Sequence, residues 1–323
     1  MTRKEGVVLK GTGGVWHVRA DSGETHAASL RGRLKQEREE TKKLAVGDRV
    51  ILEIDERGVH WAIAEILPRH SKLARREPGS GQGERIVAAN VDQVVVVFAA
   101  AKPEPHRRML DRFLVIAEAN SLESRIVINK VELVDLETIQ SEFGVYVVAG
   151  YPVHYTSVKQ RIGLDELHDV LAGKTSVLTG PSGVGKSSLM NSMYPGLDLR
   201  VGEISESVNK GRHTTVGALL HPLPDAGYVV DTAGLREVGM WGLASEHLDE
   251  CFREFRPHIA ECKFGDCTHR VEPGCGVRKA VQEGSISADR YDSYLRLREE
   301  MEDAEKKWAP YSAAASKPKK RRS

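Results

Sequence analysis

The chain has no apolar run long enough to cross a membrane: the longest, Val94 to Ala101, has the length of a buried strand, against the roughly 20 residues a membrane helix needs. The amino end, Met1-Thr-Arg-Lys-Glu-Gly-Val-Val-Leu-Lys, lacks an apolar core of signal-peptide length and a small-residue cleavage site, so a cytoplasmic protein with no membrane partner is expected. A net charge of +1 excludes a polycation as a whole. Basic residues are instead clustered, in one group at Arg69, Lys72, Arg75 and Arg76 and another at Lys317, Lys319, Lys320, Arg321 and Arg322. Cysteine is sparse, four in 323 residues, and three of the four lie within fourteen residues, so most of it serves one local site. What is present is ordinary globular texture: a mean hydropathy of -0.37 and 40% hydrophobic residues, enough for two or three domains.

Residues 1–70 carry short β signals at Gly6-Val-Val-Leu, Val15-Trp-His-Val, Arg49-Val-Ile-Leu-Glu-Ile and Val59-His-Trp-Ala-Ile-Ala, punctuated by glycine turns. That spacing suits a small β-barrel, of which the OB-fold is the leading example, and Ser29-Leu-Arg-Gly-Arg-Leu-Lys-Gln could offer basic groups to nucleic acid. A plain solvated charged surface is the competing reading. Pro68 to Glu84 reads as a linker around Pro78-Gly-Ser-Gly-Gln-Gly83, and a boundary falls there. From 71 to 240 strands alternate with helical patterns: Val94–Phe98, Arg108–Ala119, Arg125–Ile128, Glu132–Phe143, Val145–Val148, Leu164–Ala172, Thr175–Leu178, Lys186–Met193 and Tyr228–Val230. This predicts a parallel-sheet α/β domain. Residues 241–323 turn helical and charged, notably Ser287 to Lys307, and Ala313 to Ser323 has no periodicity and is expected to be disordered.

Gly180-Pro181-Ser182-Gly183-Val184-Gly185-Lys186-Ser187 matches the Walker phosphate-loop pattern, follows the strand Thr175-Ser-Val-Leu, and opens a helical run from Ser188. Its glycines let N–H groups close around a β-phosphate, Lys186 supplies charge to the β and γ oxygens, and Ser187 offers a hydroxyl to Mg²⁺. Asp231-Thr-Ala-Gly234 follows the apolar strand Tyr228-Val-Val; there Asp231 can reach Mg²⁺ through water and the Gly234 N–H can meet a γ-phosphate. Between them, Gly211-Arg-His213-Thr214-Thr215 is a polar stretch of the kind that orders around a γ-phosphate. Thr215 is the candidate for a second Mg²⁺ hydroxyl, with Thr214 the alternative. Asn129-Lys130-Val131-Glu132 ends the strand Arg125-Ile-Val-Ile, and a carboxylate at 132 accepts the guanine N1–H and N2–H that adenine cannot donate. The usual residue there is Asp; Glu132 is one methylene longer. Thr156 and Ser157 are candidates to complete the base pocket.

The order of these motifs says more than each alone. In an ordinary GTP-binding domain the phosphate loop comes first and the base reader last; here Asn129-Lys130 precedes Gly180, so the domain reads as circularly permuted. Downstream, Cys262-x4-Cys267-x-His269-x5-Cys275 gathers four soft ligands in one loop, which fits a closed tetrahedral Zn²⁺ site, with disulfides the competing reading. Cys251, between aromatic neighbours, reads as a packed thiol.

A basic small barrel, a base reader ahead of the phosphate loop, Asp231-Thr-Ala-Gly-Leu-Arg-Glu, and a Cys-Cys-His-Cys finger together resemble the ribosome small-subunit-dependent GTPases. The resemblance spans nearly the whole chain. It implies an α/β, circularly permuted P-loop GTPase domain between an N-terminal OB-fold and a C-terminal helical zinc-binding domain. It also implies a protein, expected to be monomeric, that hydrolyses GTP to GDP when stimulated by the small ribosomal subunit, with contacts to ribosomal RNA. Where many GTPases carry a water-orienting Gln after the switch glycine, this chain has Leu235, so slow hydrolysis alone is expected. His213 is the candidate for placing the attacking water, and contact with RNA phosphate is its alternative role. Two other functions stay open at this point: a P-loop ATPase or small-molecule kinase, and an RNA-binding assembly chaperone whose affinity nucleotide regulates.

Overall fold

The computed structural model describes residues 2–35, 43–54, 60–76, 84–197, 199, 218–231 and 243–315. Five strands near the amino end, β1 (Arg3–Thr12), β2 (Val15–Ala20), β3 (Thr25–Leu30), β4 (Arg49–Ile54) and β5 (Trp61–Ile66), close into a barrel in the order β1-β2-β3-β5-β4. Neighbours are antiparallel except β3 and β5, which run parallel. This is the OB-fold arrangement. Alternation along the strands points Val8, Val18, Val50, Leu52 and Ile63 inward, and the short helix α1 (Gly32–Lys35) follows β3.

The stretch expected to be a linker is partly structured. Lys72–Arg76 forms β6, which pairs antiparallel with β7 (Glu84–Ala89), because Leu73 and Ala88 have a core to bury into. The hairpin also fixes the barrel: Ala89 N–H donates to the Val46 carbonyl at 2.8 Å and the buried Asn90 amide donates to the Gly47 carbonyl at 2.9 Å. Asp48, fully buried, accepts two hydrogen bonds from Arg69 at 2.6 and 2.7 Å and one from the Ala45 N–H at 2.8 Å.

The central domain runs β8 (Gln93–Ala99), α2 (Arg107–Ala119), β9 (Glu123–Asn129), α3 (Leu136–Val148), β10 (Val153–Thr156), α4 (Leu164–Leu171), β11 (Thr175–Thr179), α5 (Lys186–Met193), β12 (Leu219–Pro222) and β13 (Tyr228–Asp231). Its sheet has the order β10-β9-β8-β11-β13-β12, parallel throughout except for β12 at one edge. Every residue of β8 is buried, as expected for a strand covered on both faces. The valine-rich Val145–Val148, expected to be a strand, instead ends α3. There Ile139, Phe143 and Tyr146 recur at helical spacing and are buried, Val145 packs partly against the same core, and Val147 and Val148 lie on the outer face. The strand itself starts at Val153, after Gly150 and Pro152.

Beyond residue 243 come three 3₁₀ turns, α6 (Arg256–Ile259), α7 (Gly276–Gln282) and α8 (Ala288–Ala315), packed around Phe252, Phe255, Val277 and Tyr294. α8 continues through Ala315, so Ala313 to Ala315 are helical rather than disordered; the basic tail lies outside the described residues. Cys251 is buried in this core and burial pushes its thiol up to about 12. Among the described residues, no helix is long and apolar enough to cross a membrane.

Candidate functional site

In an open parallel sheet the carboxyl ends of all strands share one edge, and a crevice forms where successive connections leave in opposite directions. Here that point is between β8, whose chain proceeds toward β9, and β11, whose chain proceeds toward β13. The phosphate loop leaves β11 at that edge, the base reader leaves β9, Thr156 ends β10, and Asp231 ends β13 opposite Leu178. One edge of one sheet therefore collects these sequence candidates from four strands. His213, Thr214, Thr215, Gly234 and Leu235, and the side chain of Asp231, lie outside the described residues.

The loop from Gly180 to Lys186 needs glycine at two positions for clear reasons. Gly180 has φ +132° and an added Cβ would sit 2.0 Å from the Val97 carbonyl oxygen; Gly185 has φ +98° and an added Cβ would sit 2.4 Å from Asn129 Nδ2. α5 starts at Lys186, so the loop ends on a helix N-terminus whose free N–H groups and dipole favour an anion. Lys186 is largely buried, and its ammonium donates to the Gly180 and Pro181 carbonyls at 2.9 and 2.7 Å. Val184 anchors the loop in the core, Ser187 is buried and Ser188 half-buried on the first turn of α5, and Ser182 and Gly183 are exposed.

The Asn129-Lys130 segment is docked onto this loop. Asn129, 2% exposed, donates through Nδ2 to the Val184 carbonyl at 2.9 Å and accepts through Oδ1 from the Thr156 hydroxyl at 3.2 Å. Lys130, in the left-handed region at φ 62°, places its ammonium 2.6 Å from both the Gly183 and Lys102 carbonyls. Val131 is buried at the start of a 3₁₀ turn that carries Glu132, and the Glu132 Oε2 is buried with no hydrogen-bonding partner among the described residues. A buried carboxylate oxygen left unpaired costs free energy, and the adjacent N–H groups of a guanine are donors of the kind it can accept from, which adenine lacks. Ser157, the next residue, accepts through its hydroxyl from the Gln160 N–H at 3.0 Å, closing the turn after β10.

The second site is the Cys/His cluster. The ligand atoms of Cys262, Cys267, His269 and Cys275 all lie within 4.8 Å of one another. Cys262 Sγ is 3.6 Å from His269 Nδ1 and 3.9 Å from Cys275 Sγ, and His269 Nδ1 is 3.3 Å from Cys275 Sγ. Zinc bonds of about 2.3 Å to sulfur and about 2.0 Å to nitrogen put tetrahedral ligands about 3.5–3.8 Å apart, which these spacings fit. A disulfide, at about 2.05 Å, they do not fit, and all four cysteines are free. Burial pushes the Cys267 thiol up to about 12 and raises Cys275 as well, so neither is a thiolate near neutral pH without a cation in reach. N–H groups of Gly276 and Arg278 point at Cys262 and Cys275 at 3.3 and 3.4 Å, further favouring negative sulfur.

Sequence reading missed the groups that hold this cluster. Asp249 Oδ2 lies 3.1 Å from His269 Nε2, leaving Nδ1 to face the sulfurs, an outer carboxylate of the kind that fixes a ligating imidazole. Tyr291 and Tyr294 donate to the His269 and Thr268 carbonyls at 2.5 and 2.9 Å. Glu272 accepts from the Thr268 hydroxyl and from the N–H groups of Thr268, Arg270 and Val271. Burial opposes its ionisation, but these donors outweigh burial and bring the carboxyl down to about 2. The only sequence hint was the Glu placed three residues from two of the ligands.

Comparison with known proteins agrees with this geometry. The family profile described as RsgA GTPase matches residues 66–241. The small ribosomal subunit biogenesis GTPase RsgA of Gemmatimonas aurantiaca is 58% identical over 301 residues, covering 93% of this chain and 98% of that protein. Among solved structures, YjeQ from Thermotoga maritima is 35% identical with a TM-score of 0.77, over 93% of this chain and 99% of that one. YloQ, described as a circularly permuted GTPase, is 30% identical with a TM-score of 0.74, over 94% and 96% respectively.

Proposed function

The chain belongs to the RsgA GTPase family and is a GTP hydrolase, and on that premise we propose that it acts in late maturation of the small ribosomal subunit, with GTP turnover stimulated by that subunit. The observation that carries the nucleotide part is the docking of Asn129 and Lys130 onto the Val184 and Gly183 carbonyls, followed in the same segment by Glu132, whose buried Oε2 has no hydrogen-bonding partner among the described residues. Guanine recognition and phosphate binding are thereby one structure.

In this reading the N–H groups from Gly183 to Ser188 hold the phosphates and Lys186 leaves its loop carbonyls for the β and γ oxygens. Ser187 and Thr215 supply hydroxyls to Mg²⁺, Asp231 reaches it through water, and the Gly234 N–H meets the γ-phosphate. Bound Mg²⁺ neutralises charge developing on the phosphate oxygens. Leu235 can neither orient nor polarise water, so His213 places the attacking water when the small subunit is bound. Thr156 and Ser157 line the base pocket, Thr156 by holding the Asn129 amide in its working orientation. Cys262, Cys267, His269 and Cys275 hold one structural Zn²⁺, which closes its site with four protein ligands and leaves no open position for chemistry. The OB-fold and the helical domain contact ribosomal RNA, and the protein works in the cytoplasm as a monomer. Its test is phosphate release from GTP with and without purified small subunits. The expected result is slow turnover alone and a large increase on adding subunits; unchanged turnover would contradict it.

A further inference from the structure

We infer that Arg290, in the helical domain, is a positioning residue for guanine-nucleotide binding, acting through α2 and the Lys102 carbonyl on the Lys130 ammonium; the inference rests on the GTP-binding reading above. It begins at Lys130, whose ammonium is shared at 2.6 Å between the phosphate-loop carbonyl of Gly183 and the carbonyl of Lys102. Lys102 belongs to the loop joining β8 to α2, five residues before the helix starts at Arg107. Where α2 sits therefore decides where one of the two acceptors of Lys130 sits.

α2 belongs to two cores. Leu110, Phe113, Leu114 and Ala117 pack with the sheet, whereas Val115 packs with Phe252, Phe255 and Tyr294 of the helical domain. Asp111, on the same helix, is 2% exposed and accepts from the Tyr146 hydroxyl at 2.9 Å and from Arg290. The other side of the Arg290 guanidinium donates to Glu254 at 2.6 Å, and its carbon lies 4.6 Å from the centre of the Phe252 ring. One buried cation thus joins two buried carboxylates from two domains. Removing it leaves both carboxylates without their counter-charge, so the arrangement has little freedom to slide.

The grip continues along the helix. Arg107 and Arg108 pair with Asp289 and Asp292 at 3.0 and 3.3 Å, and Arg112 pairs with Glu300, all on α8. At the far end Glu118, 6% exposed, accepts from Arg253 and Arg256, both at 2.6 Å. α2 is therefore held by the helical domain along its whole length, and the loop at its amino end contacts the base reader. The carbonyl clamp on Lys130 inherits its position from the interdomain joint, so a shift of the helical domain loosens or tightens the nucleotide site without touching it.

The experiment measures dissociation of fluorescent mant-GDP from the full chain by stopped flow. Arg290→Lys keeps the charge and loses the fork that spans Asp111 and Glu254. Release is expected to accelerate at least threefold in that variant and by less than 1.5-fold when Lys130→Met is already present, because the clamp it acts through is gone. Unchanged release, or the same factor in both backgrounds, would overturn the inference. If Arg290→Lys does not fold, the exposed Arg112–Glu300 pair decides. Arg112→Glu and Glu300→Arg should each accelerate release and the double swap should restore it; singles without effect, or no restoration, overturn it. Failure of the unsubstituted chain to bind mant-GDP would overturn the GTP-binding reading itself, and this inference with it.

Discussion

Replacing Asn129 tests whether base reader and phosphate loop are one structure. Its side chain is 2% exposed and makes two hydrogen bonds, to the Val184 carbonyl at 2.9 Å and from the Thr156 hydroxyl at 3.2 Å. Asn129→Ala removes both and leaves a buried hydroxyl and carbonyl unpartnered, at a cost of about 1–3 kcal/mol in unfolding free energy. The bond to Val184 also fixes the loop that receives the phosphates. If about 1.4 kcal/mol of that order is used in binding, GDP affinity falls about tenfold. Asn129→Asp is the sharper variant, because it turns a carboxylate oxygen toward the Val184 carbonyl where an N–H₂ stood. It should weaken binding more than Ala does, although it is closer in shape. Thr156→Val removes only the longer bond and should cost less than either. Titration calorimetry with GDP and urea denaturation of the same four proteins separate binding from stability. The reasoning is refuted if Asn129→Ala loses stability while GDP affinity changes less than twofold, or if Asn129→Asp binds as tightly as the parent.

Other perturbations have equally definite outcomes. The full chain should carry one zinc by elemental analysis, and Cys275→Ser should lose it along with the cooperative melting of the helical domain. Asp249→Asn removes the carboxylate that orients His269 and should lower zinc affinity about 10–100-fold in a chelator competition, leaving GDP binding intact. Asp48→Ala removes the fully buried acceptor of the partly exposed Arg69 and of the Ala45 N–H, and should cost about 1–3 kcal/mol in urea unfolding of the barrel. Glu272 has its carboxyl held at about 2, below the ordinary value of 4.5, so its contribution is present above that ordinary value and is lost as pH falls toward 2. Thermal melts should accordingly place Glu272→Gln below the parent at pH 6, with the gap narrower at pH 3 and closing toward pH 2.

Local chemistry was legible in the sequence and long-range chemistry was not. The phosphate loop stands out because Gly180 and Gly185 meet steric demands no other residue satisfies, and the cysteines because soft ligands rarely cluster for other reasons. The order of Asn129 and Gly180 along the chain disclosed the permutation without any coordinates. Val145–Val148 was misread because β-branched residues carry a strand preference that burial of Ile139, Phe143 and Tyr146 on a helix face overrides. Pairs such as His269–Asp249, Arg290–Asp111 and Glu118–Arg253 join residues 20, 179 and 135 positions apart and leave no local pattern to read. The same holds for the Lys102 carbonyl, a backbone group that any residue would supply.

The most direct measurement of the central claim is nucleotide competition at the base reader. Mant-GDP bound to the full chain is displaced in turn by GTP, ATP and XTP, in the parent and in Glu132→Gln. The account predicts that GTP displaces it and ATP does not. Glu132→Gln should lose affinity for GTP and gain it for XTP, because an amide donates to the xanthine carbonyl where the carboxylate accepted from guanine. Displacement by ATP as effective as by GTP, or a Glu132→Gln protein with unchanged preference, would contradict it.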